Sequence, residues 1–108
     1  MIERNLVAAG RIRQELTDLA RVVTRAEQAM RLASECTGHD FYLDSAALNL
    51  HDFYAGLERI FRHIALAVDR SVPGGPDWHR DLLRQMSASL APVRPQVISP
   101  STEEELDE

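Results

Sequence analysis

The chain has no lysine; all twelve of its basic residues are arginine. Arginine grips carboxylate and phosphate with two parallel hydrogen bonds, a preference that would suit RNA. Codon usage in a GC-rich bacterial genome accounts for the same bias without any functional demand. Cysteine is nearly absent as well: Cys36 stands alone, which excludes an internal disulfide, a CxxC motif and any Cys/His zinc pattern, and fits a reducing cytoplasm. No run of eighteen uncharged apolar residues occurs, so no segment reads as a membrane span. The first ten residues, MIERNLVAAG, carry charges at Glu3 and Arg4 instead of a long apolar core, so they do not read as a standard secretion signal.

What charge there is in excess sits at one end. Residues 99–108 hold five acids and no base, which accounts for the whole formal charge of −5 and leaves the remainder neutral. A neutral body argues against tight, non-specific binding of nucleic acid. With 108 residues and 44% hydrophobic content, the chain is long enough for one modest core, at a size where burial only just exceeds conformational entropy.

The apolar residues that are present follow helical spacing. From Leu6 they fall at Ala9, Ile12, Leu16, Leu19, Val23, Ala26, Met30 and Ala33, alternating steps of three and four, which predicts one long amphipathic helix ending near Ser34. Arg11, Gln14, Asp18, Arg21, Arg25 and Gln28 line its opposite, solvated face. Gly38 in TGHD supplies a break, with Asp40 as the expected N-cap of a second helix. That helix should be the core element. Leu43, Ala47, Leu50, Tyr54, Leu57, Phe61, Ile64 and Val68 form its stripe, widened by Phe53 and Ile60.

The turn SVPGGP, residues 71–76, ends the second helix with two prolines and two glycines, and Pro76 and Asp77 suit the first turn of a third. Trp78, Leu82, Met86 and Leu90 then recur every four residues. Prolines at 92, 95 and 100 make residues 91–100 an extended connector. In the tail, Ser101 and Glu104 have the spacing of a capping box at the start of another helix. The expected architecture is therefore an all-α antiparallel helical bundle with two long helices, one short helix and an incomplete fourth. Residues 1–98 form the bundle and residues 99–108 an acidic tail that begins the fourth helix. No strand pattern and no internal repeat is present. With the fourth helix incomplete, part of the stripe on the second would stay uncovered, an apolar patch that favours self-association or capture of a partner.

Candidate chemistry is sparse. His51, Asp52, Glu58 and His63 are metal-ligand types, but they form no HExxH and no histidine pair at i, i+4, so no metal site and no cofactor site is expected. Glu58 and Arg62 are spaced as a helix-surface ion pair, and with Tyr54 and Phe61 they are the residues through which the second helix would meet a protein partner. Trp78 beside His79 either stacks a base or belongs to the core. Gly74 and Gly75 follow no strand and read as a turn, not as a phosphate loop.

The succession ALNLHDFYAGLERIFRHIA, PGGPDWHRDLLRQM and VRPQVISPSTEEELDE resembles the HepT-like branch of the HEPN domains, all-helical ribonuclease toxins encoded beside a minimal nucleotidyltransferase antitoxin. The resemblance implies a bacterial cytoplasmic homodimer that cleaves RNA without metal, and a nucleotidyltransferase-type antitoxin as partner. It also implies a catalytic arginine and histidine separated by four to six residues, followed by a tyrosine that the antitoxin can modify with AMP, on a last long helix beginning near Ser101.

That pair has a physical rationale. Histidine moves protons near neutral pH and arginine holds a fixed cation against the phosphate. The chain does not supply them at this spacing. Five to seven residues before His39, His51, His63 and His79 stand Leu32–Ser34, Asp44–Ala46, Gly56–Glu58 and Val72–Gly74, with no arginine among them. Arg59 precedes His63 with three residues between, and a one-residue shift on a helix turns a side chain by about 100°. No residue here is therefore assigned a catalytic role. The expectation is a family member without its cleavage chemistry, or else a non-catalytic helical module for dimerisation or protein interaction. RNA would be a substrate only with the catalytic helix supplied.

Overall fold

The computed structural model describes residues 2–35 and 39–107 of the protein. Helix α1 spans Ile2–Glu35, α2 spans His39–Ile64 and continues into a π-helical turn at Ala65–Asp69, α3 spans Trp78–Ser87, and α4 spans Pro100–Leu106. No strand occurs among the described residues; a single isolated bridge joins Leu90 and Arg94. The chain is an all-α helical bundle, as its apolar periodicity requires. The expected break at Gly38, and Cys36 with it, lies outside the described residues.

The chain divides into two compact units, Arg11–Arg59 and Met1–Gly10 with Ile60–Glu108. In the first, α1 and α2 run antiparallel. Glu15 meets Arg59, Leu19 meets Gly56, and Ala33 meets His39, so partner numbers fall on one helix as they rise on the other. The inward row of α1 is Ile12, Glu15, Leu19, Val22, Ala26, Ala29 and Ala33, all buried or half-buried. This is one row over from the expected stripe. The two share Ile12, Leu19, Ala26 and Ala33, whereas Leu16, Val23 and Met30, spaced seven apart, are 53%, 37% and 53% exposed.

The stripe on α2 is displaced in the same way. Ala46, Asn49, Phe53 and Gly56 face inward, while Ala47, Leu50 and Tyr54 are exposed. The physical reason is the closeness of the helices. A Cβ added at Gly56 would lie 2.6 Å from Leu19 Cδ2, so the seam admits small residues and turns larger ones outward. Asn49 stays on the inward side because its amide donates to the Ser45 carbonyl one turn back at 2.9 Å.

The second unit has its core where the end of α2 meets α3. Ile60, Phe61, Ala65, Leu82, Leu83 and Met86 are buried, together with Ala8. Leu82 and Met86 are core as their spacing predicts; Trp78 is only half-buried, and Leu83 joins the core from the adjacent row. Helix boundaries shift by a residue or two. α2 begins at His39, so Asp40 lies in its first turn, where a carboxylate suits the positive end of the helix dipole, and does not cap it. α3 begins at Trp78 with Asp77 at the N-cap position, because Pro76 and Asp77 complete the turn that the Trp78 amide closes on the Gly75 carbonyl. At the tail the cap is Ser99 and not Ser101. Pro100, whose fixed φ favours the first helical position, puts the cap one residue earlier, and Ser99 Oγ accepts from the Thr102 amide at 3.1 Å.

Two helical glycines, one at the seam between α1 and α2 and one in open space, should respond oppositely to substitution. Gly56→Ala should lower the unfolding free energy by about 1 kcal/mol or more, since overpacking against Leu19 outweighs the gain in helix propensity. Gly10→Ala, where an added Cβ meets nothing within 4 Å, should raise it by about 0.5–1 kcal/mol. Urea denaturation of the two variants checks both signs.

Candidate functional site

The residues proposed from sequence for a partner surface all lie on α2 and differ in exposure. Tyr54 is 46% exposed and Glu58 is half-buried in the first unit. In the second unit Phe61 is 3% exposed, a core residue, and is corrected accordingly: it packs inside and does not present itself to a partner. Arg62 places its guanidinium carbon 4.9 Å from the centre of the Trp78 ring, a cation–π contact. His79 stands edge-on to the same ring with centroids 5.7 Å apart. Trp78 is thus occupied by Arg62, a second reason, beside its half-burial, against reading it as an open stacking platform.

The histidines are dispersed. His39 Nδ1 lies 2.9 Å from the Ala33 carbonyl oxygen and donates to it, tying the start of α2 to the end of α1. His51 is exposed and His63 half-buried. No group of three or more His, Cys, Asp or Glu residues suited to hold a metal ion occurs among the described residues. Arg59, which precedes His63 with three residues between, is paired with a carboxylate. Its Nε donates to Glu15 Oε1 at 3.0 Å, and that hydrogen bond raises the guanidinium pKa against the opposing effect of desolvation, with the charges of Glu15, Asp18 and Asp52 adding to it. Glu15 Oε2 is buried and has no hydrogen-bond partner among the described residues.

The most organised polar cluster was not foreseen from the sequence. At its centre is Arg94, in the connector after α3. Its Nε and Nη2 donate to Asp69 Oδ1 and Oδ2 at 2.6 and 2.7 Å, and the two side chains are 7% and 1% exposed. The remaining donors reach backbone: Nη1 to the Ala88 and Pro95 carbonyls, Nη2 also to the Gln85 carbonyl, all at 2.9–3.0 Å. Gln85 Nε2 donates to Asp69 Oδ2 and to the Ser71 carbonyl, both at 2.8 Å. The bidentate fork is the geometry that makes arginine irreplaceable by a point cation.

Local structure delivers both partners. The π turn changes the angular phase of α2 at its end, and Asp69 is its last residue. Arg70 then takes a left-handed backbone, φ 60°, and its amide and that of Ser71 both close on the Ala65 carbonyl. On the other side, residues 90–94 close a tight loop. The Arg94 amide donates to the Leu90 carbonyl and the Leu90 amide to the Arg94 carbonyl, each at 3.1 Å, around a cis Ala91–Pro92 bond. The Val97 and Ile98 amides both donate to the Met86 carbonyl, capping the end of α3. Burial alone would raise the Asp69 pKa. Hydrogen bonds from Arg94 and Gln85, with the Arg94 charge, outweigh it and hold the carboxyl below its ordinary value. The only sequence signal for this cluster was a charged residue between prolines, in RP after PV, which by itself names no partner.

Against known proteins, the family model described as HepT-like protein matches residues 45–108, more than half of the chain. No curated protein and no solved structure matches. The matched stretch takes in Arg62, Asp69, Trp78, Gln85 and Arg94.

Removing one member of the buried pair strands the other. Arg94→Met should cost about 3–5 kcal/mol of stability, and adding Asp69→Leu should restore much of it, because neither charge is then left desolvated. The pH dependence has a definite sign. A carboxyl held below its ordinary value contributes stability above that value and loses it as the pH falls through the folded pKa. Chemical denaturation at pH 6 and below about pH 4 should therefore show acid destabilisation that is reduced in the double variant.

Proposed function

Since the chain belongs to the HepT-like family, we propose that it is the HEPN-type component of a bacterial toxin–antitoxin pair, and that residues 1–108 provide the helical scaffold of such a component without its RNA-cleaving pair. The family match over α2, α3 and α4 carries this reading. In support of the second part, no arginine precedes any histidine of the chain by the spacing that metal-independent cleavage uses in these proteins. Arg59, which stands before His63 with three residues between, is paired with Glu15 through Nε, and Arg94 is spent on Asp69 and three carbonyls. A buried arginine saturated by the protein has no donor to offer a phosphate.

A homodimer in the cytoplasm is the assembly we favour, with a nucleotidyltransferase-type antitoxin as the second partner. Leu16, Val23 and Met30 support the dimer: an exposed apolar row repeating every seven residues is the pattern by which one helix seats against another. The same row favours the second reading, a non-catalytic dimerisation or interaction module. The two differ in their partners, not in the scaffold.

One assay tests the absence of cleavage and a second decides between the two readings. Purified protein incubated with total RNA in EDTA should leave it intact; cleavage that is abolished by replacing one of the four histidines would overturn the inactive reading. Co-expression with the product of the neighbouring gene should yield a stable complex with a nucleotidyltransferase. A locus with no nucleotidyltransferase gene, or no complex, leaves the interaction module as the reading that stands. In sedimentation, the protein should run as a dimer, and Leu16→Glu with Val23→Glu should make it monomeric.

A further inference from the structure

Both helices of the first unit carry a second row beside the one they bury against each other. A residue that follows an inward one is turned by about 100° to one side of its helix, and a residue that precedes it is turned to the other. Because α1 and α2 run antiparallel, the preceding residues of both helices share one flank of the pair and the following residues share the opposite flank. The first flank is charged. Asp18, Asp52 and Arg59 each precede an inward residue, and they lie close together: the Arg59 pKa is raised first by the hydrogen bond to Glu15 and further by the charges of Asp18 and Asp52.

The second flank is apolar. Leu16, Val23 and Met30 follow inward residues on α1, Leu43, Leu50 and Leu57 do so on α2, and each set repeats every seven residues. The register fixed by Glu15 with Arg59, Leu19 with Gly56 and Ala33 with His39 sets them level in pairs: Leu16 with Leu57, Val23 with Leu50, Met30 with Leu43. The flank is thus three apolar layers, and each is open to solvent, since Leu16, Leu50 and Met30 are all more than half exposed. From Arg13 to Ser34 it runs about 30 Å, and two helices make it about 20 Å wide, a flat area of about 600 Å² against the roughly 800 Å² of accessible surface that each partner covers in a stable complex. A single helix seated on it would cover the layers and leave the exposed Ala20, Ala47 and Tyr54 outside them; a pair of helices covers the full width.

We propose that this flank seats the same flank of a second copy of the chain, related by a two-fold axis that runs along the helices, so that α1 of one protomer lies on α2 of the other. The inference rests on the dimer reading above and deepens it by adding α2, the register and the axis. A half-turn about that axis brings each layer onto its own counterpart, in the reciprocal way that a two-fold contact requires. Val23 then meets Leu50 of the partner subunit and Ala20 meets the partner's Tyr54, smaller residues against larger ones, which keeps the two helix pairs evenly spaced. A half-turn about the perpendicular axis in the same face would set Val23 on Val23 and Leu50 on Leu50, opening the contact over α1 and crowding it over α2. The charged flank stays in water with its ion pairs intact.

Sedimentation equilibrium of the whole chain, with cysteine cross-linking, tests this. Leu50→Glu should raise the dimer dissociation constant by about thirtyfold or more, the loss that a central packed residue carries, while Leu48→Glu on the charged flank, where the leucine is 63% exposed, should leave it within about threefold. Circular dichroism should show both variants helical, because both positions are exposed. With Cys36→Ser as background, mild oxidation should join two chains of a variant carrying Val23→Cys and Leu50→Cys, and either cysteine alone should give no more than about a tenth of that covalent dimer. A monomer at every concentration would overturn the dimer reading and this inference with it. A dimer that keeps its affinity on Leu50→Glu, or loses as much on Leu48→Glu, would overturn this inference alone. So would a covalent dimer formed by Val23→Cys by itself, which would put the axis across the helices.

Discussion

The C-terminal half of the molecule depends on one carboxylate, Asp69, that is almost wholly removed from water. A buried charge is tolerated only when its hydrogen-bonding capacity is filled, and Asp69 fills its own with both arms of Arg94 and the amide of Gln85. That single requirement organises what surrounds it. The π turn lies at the point where α2 presents Asp69, Arg70 adopts a left-handed backbone to leave the helix directly afterwards, and the connector is drawn in until Arg94 also donates to the carbonyls of Gln85, Ala88 and Pro95. A segment that cannot form regular structure is ordered by a side chain instead.

The N-terminal pair of helices obeys a different constraint, the closeness that Gly56 allows. Where Leu19 fits into the space that a Cβ would occupy, the facing residues must be small, and Ala29, Ala33 and Ala46 are. Closeness has a second consequence. Larger apolar residues that the amphipathic pattern would put inside, Leu16, Val23, Met30, Leu50 and Tyr54, are displaced to the outside. The surface they form follows from how the pair packs, and gives the reading of the protein as a dimerising or partner-binding scaffold its physical basis.

The ion pairs of the molecule also differ in how firmly they hold. Exposed pairs such as Arg21–Asp18 and Arg80–Asp107 hold little and can be exchanged for solvent or for another charge, whereas Arg94–Asp69 cannot be loosened without disordering what it supports. A molecule built this way can vary its outer contacts while keeping its frame.

The sequence by itself determined that the protein is helical, where its helices lie to within a few residues, and which family it belongs to, because periodicity, glycine, proline and motif succession act over a few neighbouring residues. It even marked the tail helix, misplacing only its cap, since the preference of Pro100 for the first helical turn outweighs the capping-box spacing of Ser101 and Glu104. What only the tertiary structure decided was the phase of each apolar stripe and the meeting of Asp69 with Arg94. Adjacent rows on α1 share Ile12, Leu19, Ala26 and Ala33, so a pattern that wide fits either row, and the approach of the second helix makes the choice. Asp69 and Arg94 are 25 residues apart, and neither carries a local preference for the other; their pairing arises when the end of α2, α3 and the connector close around one point that water cannot reach.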